Sequence, residues 1–248
     1  MSRTALITGG QQGIGLAIAQ ALADVGFAVV IAAELPADNA TVQAALAQLG
    51  QQARYHQHDL AQVEAIPSLL EQIGPVTTLV SNAGVPARIR GDMLDLRPEN
   101  FDWVMDINLR GAFFLAQAVV RQMLTTQTAD YRSIIFVTSV SATMVSTERA
   151  EYCLSKSAAA MMAQLFAVRL AGEGIGVFDI RPGIIQTPMT AAVQDKYTAR
   201  IEGGLVPAAR WGHPADIAQV VVPLAQGCMA FANGAVIPVD GGLSIPRL

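Results

Sequence analysis

Thr4-Ala5-Leu6-Ile7-Thr8-Gly9-Gly10-Gln11-Gln12-Gly13-Ile14-Gly15 decides the fold of this chain. Thr4 to Thr8 is a short apolar run of strand length. Glycines crowd the next positions, and Leu16, Ile18, Ala19, Leu22 and Val25 then recur at helical spacing until Gly26. A strand, a glycine turn and a helix together bring free helix N–H groups to a phosphate, and glycine lets the backbone approach closely. The spacing is Gly-x-x-x-Gly-x-Gly, which differs from the Gly-x-Gly-x-x-Gly dinucleotide fingerprint.

Working outward, Ala28 to Ala33 reads as a second buried strand that ends at Glu34. An acidic residue about 20 positions past such glycines can accept a hydrogen bond from a ribose 2′-hydroxyl. An ordinary loop carboxylate is the other reading. Thr41 to Leu49 reads as helix and Ala53 to His58 as strand. Asp59-Leu60 follows, where Asp59 either caps the next helix or meets an adenine edge. Val63 to Ile73 is helical, Thr77 to Ser81 is a strand, and Ser81-Asn82-Ala83-Gly84 is a tight turn of small residues where backbone can approach a ligand.

Pro98 to Met123 is a long helical region whose apolar face is interrupted by Asn108, and a buried amide requires partners. Ser133 to Thr138 is a strand ending at Ser139. A helix rich in Ala, Met and Leu runs from Ala150 to Ala171, and the strand Gly176 to Ile180 stops at Arg181-Pro182-Gly183. Thr187 to Trp211 shows little periodicity and reads as a substrate lid. Pro214 to Ala225 is helix, and Ala235 to Val239 is the last strand. Strands and helices thus alternate from end to end. This predicts an α/β chain of one domain, residues 1–248, with a doubly wound parallel sheet of about seven strands and helices on both faces. Ligands of such sheets bind at the carboxyl ends of the strands.

The chemistry is concentrated in Tyr152-Cys153-Leu154-Ser155-Lys156, with Ser139 upstream. On a helix, Tyr152 and Lys156 share a face one turn apart. An ammonium beside a phenol favours the phenolate, which equips the tyrosine to exchange a proton near neutral pH. The chain has four Tyr and only two Lys among its 16 basic residues. Random placement would give about 0.03 such pairs. Lys is a compact charge where Arg is a wide fork, so a Lys in an Arg-rich chain suggests a task Arg does poorly. A tyrosine beside a solvated surface lysine is the bland alternative.

Composition excludes several classes. A net charge of −4 offers no basic field for nucleic acid, and no apolar run reaches the ~18 residues of a membrane span. The start, Met1-Ser2-Arg3-Thr4, moves straight into the first strand and reads as lacking a signal peptide. Cys153 and Cys228 have no metal-ligand spacing and read as reduced thiols of a cytoplasmic protein. The three His are too scattered to argue for a metal, so none is expected; His56 and His58 alternate on a strand and read as structural.

Taken in order, Thr8-Gly9-x-x-x-Gly13-x-Gly15, Ser81-Asn82-Ala83-Gly84, Asn108, Ser139, Tyr152-x-x-x-Lys156, Pro182-Gly183 and Thr187 resemble the short-chain dehydrogenase/reductase family. The likeness spans nearly the whole chain and implies a Rossmann-type fold. It also implies that Tyr152 is the acid/base on the substrate oxygen and that Ser139 hydrogen-bonds that oxygen. Lys156 would favour the phenolate and bind the nicotinamide ribose, and Asn108 would hold a water in a proton relay. The cofactor would lie against Gly9, Gln12, Gly13, Ile14, Gly15, Glu34, Asp59, Leu60, Asn82, Ala83 and Gly84. Tyr152, Lys156, Pro182, Gly183, Ile185 and Thr187 would complete its site. Ser81 stands where the family more often has Asn, and Glu34 is one position later than its usual acidic residue. The resemblance further implies a homotetramer or homodimer. NAD is the expected cofactor, with NADP the lesser choice. The expected reaction interconverts a secondary alcohol and a ketone on a small polar or sugar-like molecule. A reductase like the 3-oxoacyl-carrier-protein reductases is the alternative, and a non-catalytic dinucleotide-binding protein is a third reading.

Overall fold

A computed structural model describes residues 3–247; Met1, Ser2 and Leu248, and with them the reading of the first two residues, lie outside the described part. Seven strands form one parallel sheet: β1 (Thr4–Thr8), β2 (Ala28–Ala33), β3 (Ala53–Gln57), β4 (Thr78–Ser81), β5 (Arg132–Val137), β6 (Ile175–Pro182) and β7 (Val236–Val239). Their order across the sheet is β3-β2-β1-β4-β5-β6-β7. The order reverses between β1 and β4, and a crevice opens at such a switch point. The central strands are apolar on both sides because both faces are covered.

One face packs on α1 (Gly13–Asp24), α2 (Ala40–Leu49) and, later in the chain, Pro214–Ala225; its core includes Ile7, Ile18, Leu22, Ile31 and Phe178. The other face carries α3 (Ile66–Ile73), α4 (Pro98–Met105), α5 (Ala112–Thr125) and α6 (Ala150–Leu170), around Leu6, Leu79, Leu115, Phe136 and Met162. Two helices complete the chain, α7 (Gln194–Glu202) and α8 (Pro214–Ala225).

Three local features depart from the sequence expectation. The long helix expected from Pro98 to Met123 is interrupted by a π-helical turn over Asp106–Gly111, which separates α4 from α5. β6 continues through Arg181 and Pro182 instead of stopping at Ile180. By that point β5 has ended, and Pro182 pairs with Val239 on the β7 side alone, so the missing proline N–H breaks no ladder bond toward β5. The segment from Thr187 to Trp211, expected to be irregular, holds a short 3-10 stretch and α7. α7 is largely polar and shows no strong apolar stripe. It is anchored by buried Ile201 and by Trp211, whose Nε1 donates to Thr198 Oγ1 at 3.1 Å.

Candidate active site

A cavity of about 580 Å³ lies along the carboxyl ends of the strands, and the loops after β1, β2, β3, β4, β5 and β6 form its walls. At the first loop, Gly15 sits so close to the backbone that an added Cβ would lie 2.3 Å from the Gly9 carbonyl oxygen. Only glycine allows that approach. α1 begins there with no side-chain cap at Gln12 and no acidic residue in its first turn. Its orphan N–H groups are therefore available to an anion. Gln11 is buried on the same wall, and its Oε1 has no protein partner.

Thr8 fastens the second loop to the first. Its hydroxyl oxygen accepts hydrogen bonds from the N–H groups of Asn82 and Ala83, both at 3.0 Å. The Asn82 side chain donates to the Thr8 carbonyl at 2.9 Å. Asn82 lines the cavity as expected, but its amide works as a staple between loops. At the end of β2, Tyr55 hydrogen-bonds the carbonyls of Ala33 and Leu35 and so holds the backbone on either side of Glu34. Burial, reinforced by the Glu34 charge, pushes the Tyr55 phenol up to about 12, so it stays a neutral donor. Asp59 lines the cavity and accepts from the Ala61 N–H at 2.9 Å in a local turn; it does not cap the next helical turn, which begins after Gln62 with no side-chain cap. Neighbouring His58 is buried, and its Nε2 has no partner. Burial holds its pKa below 6.5, with Asp59 acting in the opposite direction.

Ser139, Tyr152 and Lys156 meet on the wall between β5 and α6. The Thr138 hydroxyl donates to buried Asp179, which also pairs with Arg181 at 2.8 Å, and this ties the end of β5 to β6. The Ser139 Oγ accepts from the Ser141 N–H at 3.0 Å. With that acceptor site used, the hydroxyl proton is free for a substrate oxygen. Lys156 is buried; its Nζ donates to the Val137 carbonyl at 3.3 Å and stands 5.7 Å from the centre of the Tyr152 ring. Two of its three N–H bonds remain for a ligand.

Every residue expected at the site lines this cavity except Asn108. The Asn108 side chain accepts from the Val85 N–H at 2.7 Å and donates to the Val85 carbonyl at 3.0 Å and to Ser155 Oγ at 3.1 Å. Both of its N–H bonds are used within the protein, which leaves one lone pair of Oδ1 beyond the bond from Val85. The side chain ties the loop after β4 to α6. Sequence reasoning missed Gln11, His58, Trp103, Ser141 and Tyr197, which also line the cavity. Gln11 stands at a variable position of the glycine turn, and the others stand in no motif; Ser141 lies two residues past Ser139. Arg90 and Arg149 also line the cavity, while Arg88 stacks on Trp103 at 4.1 Å. Among the described residues, no group of three His, Cys, Asp or Glu could hold a metal ion, and no helix is long and apolar enough to cross a membrane.

A Rossmann-type parallel sheet with a glycine turn and a Ser-Tyr-Lys wall in one cavity defines a nicotinamide-dependent oxidoreductase acting on CH–OH groups. The chain belongs to the short-chain dehydrogenase/reductase family. Residues 9–244 match the family model described as enoyl-(acyl carrier protein) reductase. The chain is 46% identical to a 3-oxoacyl-(acyl-carrier protein) reductase from Brucella melitensis, whose crystal structure is in complex with NAD; the TM-score is 0.94, with 100% of this chain and 99% of that one covered. It is 36% identical to the 3-oxoacyl-(acyl-carrier-protein) reductase MabA of Mycobacterium tuberculosis, over 99% of this chain and 94% of that protein. A putative 2-deoxy-D-gluconate 3-dehydrogenase from Agrobacterium tumefaciens, solved with bound NADP, is 32% identical with a TM-score of 0.87, covering 97% and 96% of the two chains.

Proposed function

We propose that the chain interconverts a secondary alcohol and a ketone in a 3-oxoacyl-type substrate, with NAD as its dinucleotide. The observation that carries this reading is that Ser139, Tyr152 and Lys156 share one cavity with the glycine turn and Glu34. The first expectation, a sugar-like substrate, gives way here to its alternative, because the relatives named as 3-oxoacyl reductases support the acyl reading better. The likeness to the putative 2-deoxy-D-gluconate 3-dehydrogenase keeps the sugar-like reading as the second choice.

The cavity suits a dinucleotide. The uncapped start of α1 offers N–H groups to a pyrophosphate, and Glu34 lies at the strand end where an adenine ribose would sit. When bound, the nicotinamide supplies the hydride chemistry. The protein's own groups do the rest. Ser139 donates its free O–H to the substrate oxygen, and Tyr152 exchanges a proton at that oxygen. Lys156 places a buried positive charge beside the phenol and turns its remaining N–H bonds to the nicotinamide-side ribose. Thr187 and the backbone at Ile185 line the cavity where the carboxamide would be held. The carboxylate of Glu34 favours a free 2′-hydroxyl over a 2′-phosphate, hence NAD. α7 and the stretch before it form one side of the substrate end and act as the lid.

The test is absorbance at 340 nm with each dinucleotide against 3-oxoacyl thioesters, hydroxy acids, polyols and sugar acids. Turnover of an acyl substrate that disappears in Tyr152→Phe supports the reading. Turnover confined to polyols or sugar acids selects the second choice.

A further inference from the structure

We infer that Arg149 reads a carboxylate close to the reacting carbon, so that the substrate is taken as a free hydroxy or keto acid and not on a carrier. This rests on the reading of Tyr152 as the group that exchanges the substrate's proton. The Arg149 guanidinium lies over the Tyr152 ring, 5.2 Å from its centre, on the wall of the cavity. Among the described residues its only hydrogen-bond partner is the Ser141 hydroxyl, to which Nη2 donates at 3.0 Å. A guanidinium carries five N–H donors, so most of its fork is unused. None of the ion pairs among the described residues includes Arg149. The adjacent carboxylate, Glu148, is held instead by Lys196 at 3.4 Å.

Helix capping gives no reason for an arginine here. Arg149 is the N-cap residue of α6 and makes no capping bond there. Ser, Thr, Asp or Asn would cap the helix, and a cation is the wrong charge for a helix N-terminus. A half-buried cation without a counter-charge, placed against local preference and beside the reacting phenol, is a site that an incoming anion completes.

Position decides which anion. A carboxylate a few bonds from a carbon held at Tyr152 falls within reach of Arg149. The phosphate of a pantetheine arm lies at the far end of a long chain, too far from a carbon held at Tyr152 to be the anion that meets Arg149. The geometry therefore favours the small acid. Ser141 links this contact to the reacting centre, since its N–H holds Ser139 Oγ while its hydroxyl holds Arg149.

The experiment measures NAD-linked oxidation of two acid/neutral pairs, 3-hydroxybutanoate against its methyl ester and gluconate against glucitol. The 3-hydroxybutanoyl pantetheine thioester is run beside them. Each is tested with wild type, Arg149→Gln and Arg149→Lys. The expected result is an acid preference in kcat/KM of tenfold or more in at least one pair. It should reside in KM, weaken with added salt, largely vanish in Arg149→Gln and partly return in Arg149→Lys. A contact that merely props up Tyr152 would lower kcat for acid and neutral partner alike and leave their ratio unchanged. The inference is overturned if wild type turns over a neutral partner or the thioester at least as well as the acid, or if the acid preference survives Arg149→Gln. If wild type oxidises none of the five, the reading of the Tyr152 site fails and the inference falls with it.

Discussion

The Lys156 ammonium stands 5.7 Å from the centre of the Tyr152 ring, one turn along the same helix, while its Nζ is tethered to the Val137 carbonyl at the end of β5. Helix spacing brings the two residues to one face, and the strand fixes the lysine's reach. Tyr152→Phe removes only the phenolic O–H from this arrangement. Turnover should fall by about 10²–10⁴-fold or more, the usual contribution of a positioned acid/base. Dinucleotide affinity, followed by cofactor fluorescence, should stay within a few-fold. Activity close to wild type would reject the assignment.

Cofactor choice should follow Glu34. Its backbone is held from both sides by Tyr55, so a new side chain at this position should still face the cavity. Wild type should prefer NAD over NADP by about tenfold, the equivalent of one charge-assisted hydrogen bond of about 1.4 kcal/mol. Glu34→Arg should move kcat/KM toward NADP. Equal use of both dinucleotides by wild type would show that Glu34 does not read the ribose.

His58 predicts a pH dependence of stability. Its folded pKa is depressed below 6.5 by burial, so the unfolded chain binds its proton first as pH falls. The contribution is therefore fully present above about 6.5 and shrinks as pH drops below that value toward the folded pKa. Thermal melts of wild type and His58→Gln between pH 8 and pH 5 check this. Wild type should lose more Tm than the variant over that interval; parallel losses would mean that His58 is not held neutral.

Gly111 should tolerate no side chain. A Cβ there would lie 2.1 Å from the Leu60 carbonyl oxygen, which belongs to backbone and cannot swing aside. Gly111→Ala should cost about 1–3 kcal/mol, the range for forced overpacking. Gly172, where a Cβ would meet nothing within 4 Å, provides the control, and Gly172→Ala should stay within about 0.5 kcal/mol of wild type. Urea unfolding midpoints measure both.

Assembly is predicted by the outer faces of α5 and α6. Phe114, Leu154, Met161, Leu165 and Val168 are exposed there, Val168 at 82%. An apolar helix face of this kind needs more cover than one sheet supplies. A second copy is the expected cover, giving a dimer or tetramer by light scattering. Adding Leu165→Glu to Val168→Glu should reduce the mass; a wild-type monomer at micromolar concentration would contradict the expectation.

The element order, the parallel sheet and the glycine turn were legible because each depends on near neighbours in the chain. Apolar runs of strand length, helical periodicity after Gly15 and the four-residue step from Tyr152 to Lys156 follow from backbone geometry alone. The boundaries at Pro182 and within Thr187–Trp211 were not legible. β6 outlasts its expected end because its neighbour β7 continues, and α7 owes its place to Trp211 and buried Ile201 more than to its own polar sequence.

By itself, then, the sequence determined which residues could carry the chemistry and in what order the layers would form, since propensity and periodicity act over a few residues. Tertiary structure alone decided where those side chains spend their hydrogen bonds. Asn108, marked in the sequence as a polar break in an apolar face, is consumed by Val85 and Ser155. Arg149 spends its hydrogen bond on Ser141, in the loop after β5. The hydrogen-bond partners of a buried amide or of an unpaired cation lie on other elements, and only tertiary packing brings them within about 3 Å.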